Sequence, residues 1–145
     1  MMDSTFTVPD RRVSDGAVSH SVDLVHRAYD AFFAGDLDAA MAVAQPDIVL
    51  RQDPALPWGG RYQGRDGVAE FALALYGVIE STVTTEAMFS AGDWVIQYGR
   101  SRGTVNASGA AFDIAECHVW AIRDGLIAEV DFFVDSPAIL QVLDP

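Results

Sequence analysis

The feature that most restricts what this chain can fold into is a change of hydrophobic period at Ser81. Beyond it, Thr82 to Phe89, Trp94 to Val105, Ala111 to Ile122 and Leu126 to Val134 alternate apolar and polar residues, as strands do. Ala91-Gly92-Asp93, Asn106 to Gly109 and Arg123-Asp124-Gly125 are short turn-forming joints, so the four segments are expected to run as consecutive antiparallel hairpins. Such a sheet must hide two apolar faces. One face takes helices; the far face, bearing aromatics and valines, is expected to pack on a second copy of the chain as a homodimer.

Before Ser81 the period is helical. Val22, Val25, Ala28, Tyr29, Phe32 and Phe33 form one stripe running from Ser21 to the stop at Gly35. Asp36 is placed to cap a second short helix through Ala44, and Pro46-Asp47 then turns the chain into the extended run Ile48 to Gln52. Asp53 to Gly64, with Pro54, Pro57 and Gly59-Gly60, reads as a loop carrying Trp58. Asp66-Gly67 starts a third helix with Val68, Phe71, Ala72, Leu75 and Ile79 at helical spacing, and Ser136-Pro137 opens a final helical turn. The expected fold is α+β: a cone-shaped, curved antiparallel sheet with three helices packed on it, spanning residues 21–145 behind a flexible tail at 1–20.

Composition narrows the function classes. A chain of 145 residues has the size of one domain, and no apolar run approaches the roughly 18 residues of a membrane-spanning helix. All nine basic residues are Arg, against 21 acids, which gives a net charge of −12 that repels nucleic acid and anionic lipid. Without Lys there is no amine for Schiff-base chemistry. Cys117 is the single cysteine, and His20, His26 and His118 have no ligand spacing, so neither a disulfide nor a metal is expected. No glycine-rich phosphate cradle is present, so a cofactor is not expected either, and the cytoplasm is the default location.

The order of elements, with Ala34-Gly35-Asp36-Leu37-Asp38, Pro46-Asp47-Ile48-Val49, Gly64-Arg65-Asp66-Gly67-Val68 and Asp124-Gly125-Leu126-Ile127, resembles the nuclear transport factor 2-like superfamily from Val22 to Leu143. Within it the chain looks most like the SnoaL-like and ketosteroid-isomerase-like branch. The resemblance implies a conical fold around an apolar pocket between sheet and helices. It leaves the reaction open, because that fold hosts isomerases, polyketide cyclases, epoxide hydrolases and plain binding modules.

Three residues stand out for catalysis. Asp53, in Arg51-Gln52-Asp53-Pro54, is similar to the strand-end Asp-Pro of ketosteroid isomerases, which implies a base that takes a proton next to a carbonyl; it equally suits the start of a turn. His118 lies six residues before Asp124, where cyclases and ketosteroid isomerases carry an acidic group, and it shares a strand face with Glu116 and Trp120. That position implies a proton donor to a developing enolate, or a base, and a core histidine bonded to a neighbouring strand or to Glu116 is its structural alternative. Asp131, in Val130-Asp131-Phe132-Phe133, is similar to an Asp of limonene-epoxide-hydrolase-like members, and an ion pair with Arg100 or Arg102 is its structural alternative.

Trp58 and Trp120 lead the substrate-contacting candidates, with Tyr29, Phe32, Phe133 and Arg100 behind them. The ketosteroid isomerases carry a first-helix tyrosine where this chain has Ala28. Tyr29 is one residue on, about 100° round the helix, which aims it toward the core. The sequence thus points to a cofactor-independent acid–base enzyme acting on an apolar, carbonyl-bearing small molecule. A limonene-epoxide-hydrolase-like activity and a non-catalytic hydrophobe-binding dimer are the alternatives.

Overall fold

The computed structural model describes residues 15–144. Helices α1 (Asp15–Ala34) and α2 (Leu37–Ala42) precede strands β1 (Ala44–Gln52) and β2 (Gly60–Gln63) and helix α3 (Gly64–Tyr76). Strands β3 (Ile79–Ala91), β4 (Trp94–Val105), β5 (Ala111–Arg123) and β6 (Leu126–Val134) form the meander, and α4 (Ser136–Leu143) follows. All six strands make one curved, unclosed sheet in the order β2-β1-β6-β5-β4-β3.

Several details depart from the sequence reading, among them the end of α2 at Ala42 and the start of β1 at Ala44, where a helix through Ala44 and a strand from Ile48 were expected. α1 begins at Asp15 rather than Ser21, and residues 1–14 of the expected tail lie outside the described residues. The expected loop Asp53 to Gly64 contains β2, which pairs with β1 from Val49 opposite Gln63 to Gln52 opposite Gly60; four residues are too few for a period to show. β1 joins β6 in parallel, with Leu50 opposite Val130, so the sheet is mixed. Ile79 starts β3 instead of extending α3, and either assignment buries it.

Local chemistry explains the joints. The Asp36 side chain accepts from the Ala39 N–H at 3.0 Å and starts α2, as expected of a cap. Asp135, not Ser136, caps α4 by accepting from the Ala138 N–H at 3.2 Å. Pro46 falls where the β1–β6 register shifts, a place in a sheet that tolerates a missing N–H. Curvature has a visible source in β3, where Glu86 is an extra residue between the Thr85–Gly99 and Ala87–Tyr98 pairs. Gly99 permits the close approach there, since a Cβ on it would sit 1.9 Å from the Thr84 carbonyl oxygen.

The strand alternation separates two environments. On β5, Phe112, Ile114, Glu116, His118 and Trp120 are buried against the helices, while the residues between them face outward. The inner face packs on Leu24 and Val25 of α1, Val68 and Phe71 of α3 and Ile139 of α4. Tyr98, Cys117 and Phe133 lie side by side across β4, β5 and β6 on the outer face, with Tyr98 and Phe133 45% and 57% exposed. Among the described residues no helix is long and apolar enough to cross a membrane.

Candidate functional site

A cavity of about 110 Å³ lies between the inner face of the sheet and α1 to α4. One water needs roughly 10–15 Å³ of such space, so the cavity has room for a small organic molecule. Its walls are almost wholly carbon, from residues such as Ile48, Leu50, Phe71, Ile114, Val130 and Ile139. Of the expected site residues, Tyr29, Phe32, Trp58, His118 and Trp120 line it. Phe132 lines it as well, stacked on Phe71 at 5.2 Å and edge-on to His118 at 4.8 Å.

Tyr29 and His118, which line the cavity, belong to a ring of polar groups that continues behind its wall through Gln97 and Glu116. Tyr29 Oη lies 2.5 Å from His118 Nδ1 and 3.1 Å from Gln97 Oε1. Gln97, fully buried, donates from Nε2 to Glu116 Oε2 at 2.7 Å and to Thr85 Oγ1 at 3.1 Å. Glu116 Oε1 lies 3.3 Å from His118 Nε2 and has no aligned hydrogen-bond partner.

Donor and acceptor counting fixes the direction of the ring. Gln97 commits its N–H groups to two oxygens, so its Oε1 must accept, and the single Tyr29 hydrogen goes there. His118 then donates from Nδ1 to Tyr29 and turns an unprotonated Nε2 toward Glu116, a tautomer assigned from the hydrogen-bond pattern. A protonated Glu116 completes the cycle. The electrostatics agree: burial raises the Glu116 carboxyl to about 7, with Gln97 opposing the shift and the charge of Glu86 adding to it. Burial lowers the His118 imidazole to about 3 and holds the Tyr29 phenol well above its ordinary range. All three groups are thereby driven toward their neutral forms.

Tyr29 packs against the core as its one-residue offset along α1 implies, with its ring on Phe33 and Trp120, and it also lines the cavity, where its hydroxyl reaches His118 on β5. Glu116 and Gln97 were not among the expected site residues. Their signal was a polar residue at an inward position of a period-two strand, Gln97 standing directly opposite His118 in the β4–β5 register.

The other candidates are not brought to the cavity. Asp53 is exposed, and its Oδ1 accepts from the Ala55 N–H at 2.9 Å, which makes it the turn former at the end of β1. That bond, and a second from Ser136, hold its carboxyl below the usual range, opposite to the basicity a pocket carboxylate would gain. Gln52, one residue earlier and so on the other face, points inward and accepts from the Trp58 indole N–H at 2.9 Å. Asp131 is bound by Arg51 at 2.8 Å rather than by Arg100 or Arg102, both of which go to Asp113. Arg51 also bonds Glu129. Asp53, Asp131 and Phe133 share an open groove apart from His118, and Arg100 lines neither that groove nor the cavity.

No group of histidine, cysteine and carboxylate side chains that could hold a metal occurs among the described residues. Comparison with known proteins places the architecture. A search of curated proteins returns no match. The fold is similar to that of an NTF2-like protein from Burkholderia thailandensis, with TM-score 0.76, 28% identity and coverage of 86% of this chain and 97% of that one. A candidate SnoaL-like polyketide cyclase from Jannaschia gives TM-score 0.77 at 19% identity, covering 88% and 94% of the two chains. An epoxide hydrolase of the LEH-like kind from Mycobacterium tuberculosis gives 0.69 at 16%, covering 88% and 91%. The family described as SnoaL-like domain matches residues 25–130, which include every member of the buried ring, and the chain therefore belongs to the SnoaL-like family.

Proposed function

We propose that this chain binds an apolar, carbonyl-bearing small molecule in the cavity and moves a proton on it without a cofactor, in the manner of an isomerase or cyclase. The observation that supports this reading is the ring of Tyr29, His118, Glu116 and Gln97, which presents Tyr29 and His118 to a cavity otherwise walled by carbon. A carboxyl poised near 7 is matched to proton transfer at neutral pH. Once Glu116 ionises, its carboxylate 3.3 Å from His118 Nε2 offsets the burial that otherwise keeps the imidazole neutral, and the His118–Glu116 pair takes up the proton from the carbon beside the carbonyl as the enolate forms. The pair returns that proton to a different carbon in an isomerisation, or the enolate closes on a second carbonyl of the same molecule. Tyr29 holds the ring nitrogen that does not react. The likeness to a candidate polyketide cyclase is in keeping with such a substrate class.

The test is solvent-deuterium exchange into the α-positions of a panel of apolar ketones, followed by nuclear magnetic resonance. The wild type should exchange a ketone that His118→Asn leaves untouched. A second reading, a non-catalytic binding pocket, is favoured by the position of Asp53 outside the cavity. Ligand binding with no exchange for any ketone would select it. The epoxide-hydrolase reading loses its acid, because Asp131 is engaged by Arg51 beside the open groove. We further propose a homodimer through the outer face, supported by the exposed row of Tyr98 and Phe133 on either side of Cys117. Sedimentation of Tyr98→Glu as a monomer, against a wild-type dimer, would bear it out.

A further inference from the structure

Gln52 and Trp58 are joined by a bond that leaves one end of the carboxamide unused. The buried Trp58 indole donates its Nε1–H to Gln52 Oε1 at 2.9 Å. With Oε1 committed as the acceptor, the other end of the amide is Nε2 and carries two donors, an orientation assigned from the hydrogen-bond pattern. Among the described residues Nε2 donates to no group, and unlike Glu116 Oε1 it is not closed off from contact. Gln52 is 8% exposed and lines both the cavity and the open groove, as Phe132 and Val134 do, so it stands in the wall between the two. Buried polar groups are nearly always paired, so an amide held at one end and unused at the other points to an acceptor that arrives from outside the chain.

The sheet register sets where that acceptor lies. Gln52 on β1 stands opposite Phe132 on β6, and Phe132 stands opposite His118 on β5. The three form one row across adjacent strands, with Gln52 and His118 roughly 9–10 Å apart at the backbone. Phe132, edge-on to His118 with ring centroids 4.8 Å apart, is the floor between them. An oxygen held at Gln52 therefore lays the adjoining carbons over Phe132 and toward His118. The acceptor is uncharged, because no arginine and no carboxylate lines the cavity and an ionised group would be buried there without a counter-charge.

We propose that the Gln52 carboxamide binds the uncharged carbonyl oxygen of the cavity's ligand through its Nε2–H donors, and so sets which end of an apolar ketone faces the groove and which faces His118. This rests on the reading that the cavity takes an apolar carbonyl compound, and it adds the residue that recognises the carbonyl. The Trp58 indole, by holding Oε1, keeps the donors from turning away. A donor already fixed when the ligand arrives loses little further freedom on binding.

The experiment titrates ¹⁵N-labelled protein with cyclohexanone and with methylenecyclohexane, which exchange one oxygen for a CH₂ and carry no aromatic ring, and follows the side-chain amide signals. The Gln52 pair, assigned through bonds from its own backbone, should move with the ketone and stay near its place with the hydrocarbon. The ratio of ketone to hydrocarbon affinity should fall about 5- to 10-fold in Gln52→Leu, the worth of one neutral hydrogen bond. Gln52→Glu keeps an acceptor for Trp58 while removing both donors, and the same loss is expected of it; should neither variant fold, the wild-type amide signals still decide. A Gln52 pair unmoved by bound ketone marks an amide served by water alone and would overturn the proposal, as would an unchanged ratio or binding of neither probe. A ketone that docks on Gln52 and never exchanges its α-protons would sink the catalytic reading and leave this one standing; exchange with an unmoved Gln52 pair would do the reverse.

Discussion

Glu116 on the inner face of β5 and Asp53 at the end of β1 carry the same carboxyl group, and their surroundings drive them in opposite directions. Glu116, 4% exposed among apolar walls, is raised to about 7. Asp53, in solvent and accepting a backbone N–H, is lowered. The difference teaches that a motif position does not make a general base; desolvation does. Asp53 occupies the place the resemblance marks, yet the group with the shifted proton affinity sits two strands away from β1, beside His118. The proton chemistry is therefore best sought along the β4–β5 pair.

The largest effect that could break this contrast is on the reaction itself. His118→Asn should lower α-proton exchange by about 10²- to 10⁴-fold, the usual range for a general acid–base group, while Asp53→Asn leaves the rate within about 2-fold. The opposite pattern would return the base to the loop. Glu116→Gln comes next: wild-type kcat/KM should climb through about pH 7 as Glu116 ionises, and the variant should lose that limb together with at least a factor of about 10 in rate. A limb that survives in the variant assigns it to another group.

A smaller effect should appear in stability against pH, read from denaturant midpoints. Folded His118 binds its proton more weakly than the unfolded residue, about 3 against 6.5, so between those values the unfolded chain holds more protons and stability rises with pH. Glu116 acts oppositely. Folded, it keeps its proton up to about 7 instead of 4.5, so its contribution falls as pH rises through that window. The two slopes offset each other where the windows overlap, and Glu116→Gln should leave a steeper rise than the wild type shows. A variant as flat as the wild type would mean the pair does not titrate independently of the rest of the ring. The smallest effect belongs to the groove: Arg51→Ala removes half-exposed ion pairs to Asp131 and Glu129 and should cost less than about 1 kcal/mol, with exchange unchanged.

The sequence by itself determined the architecture, because hydrophobic period is a local property that any window of the chain displays. The switch at Ser81, the hairpin turns and the inward face of β5 with Glu116, His118 and Trp120 could all be read from it. Shorter or longer-range features could not. β2 is too brief to show a period, and the parallel β1–β6 pairing joins residues about 80 positions apart, as in Leu50 opposite Val130. The site was legible in part for the same reason. His118 and Trp120 announced themselves through strand alternation, whereas the contact of Tyr29 with His118 bridges a helix and a strand 89 residues apart. Only the tertiary structure could decide that Tyr29 enters the ring and Asp53 stays in water, since proton affinity follows what surrounds a group in space, and the chain order of residues does not carry that information.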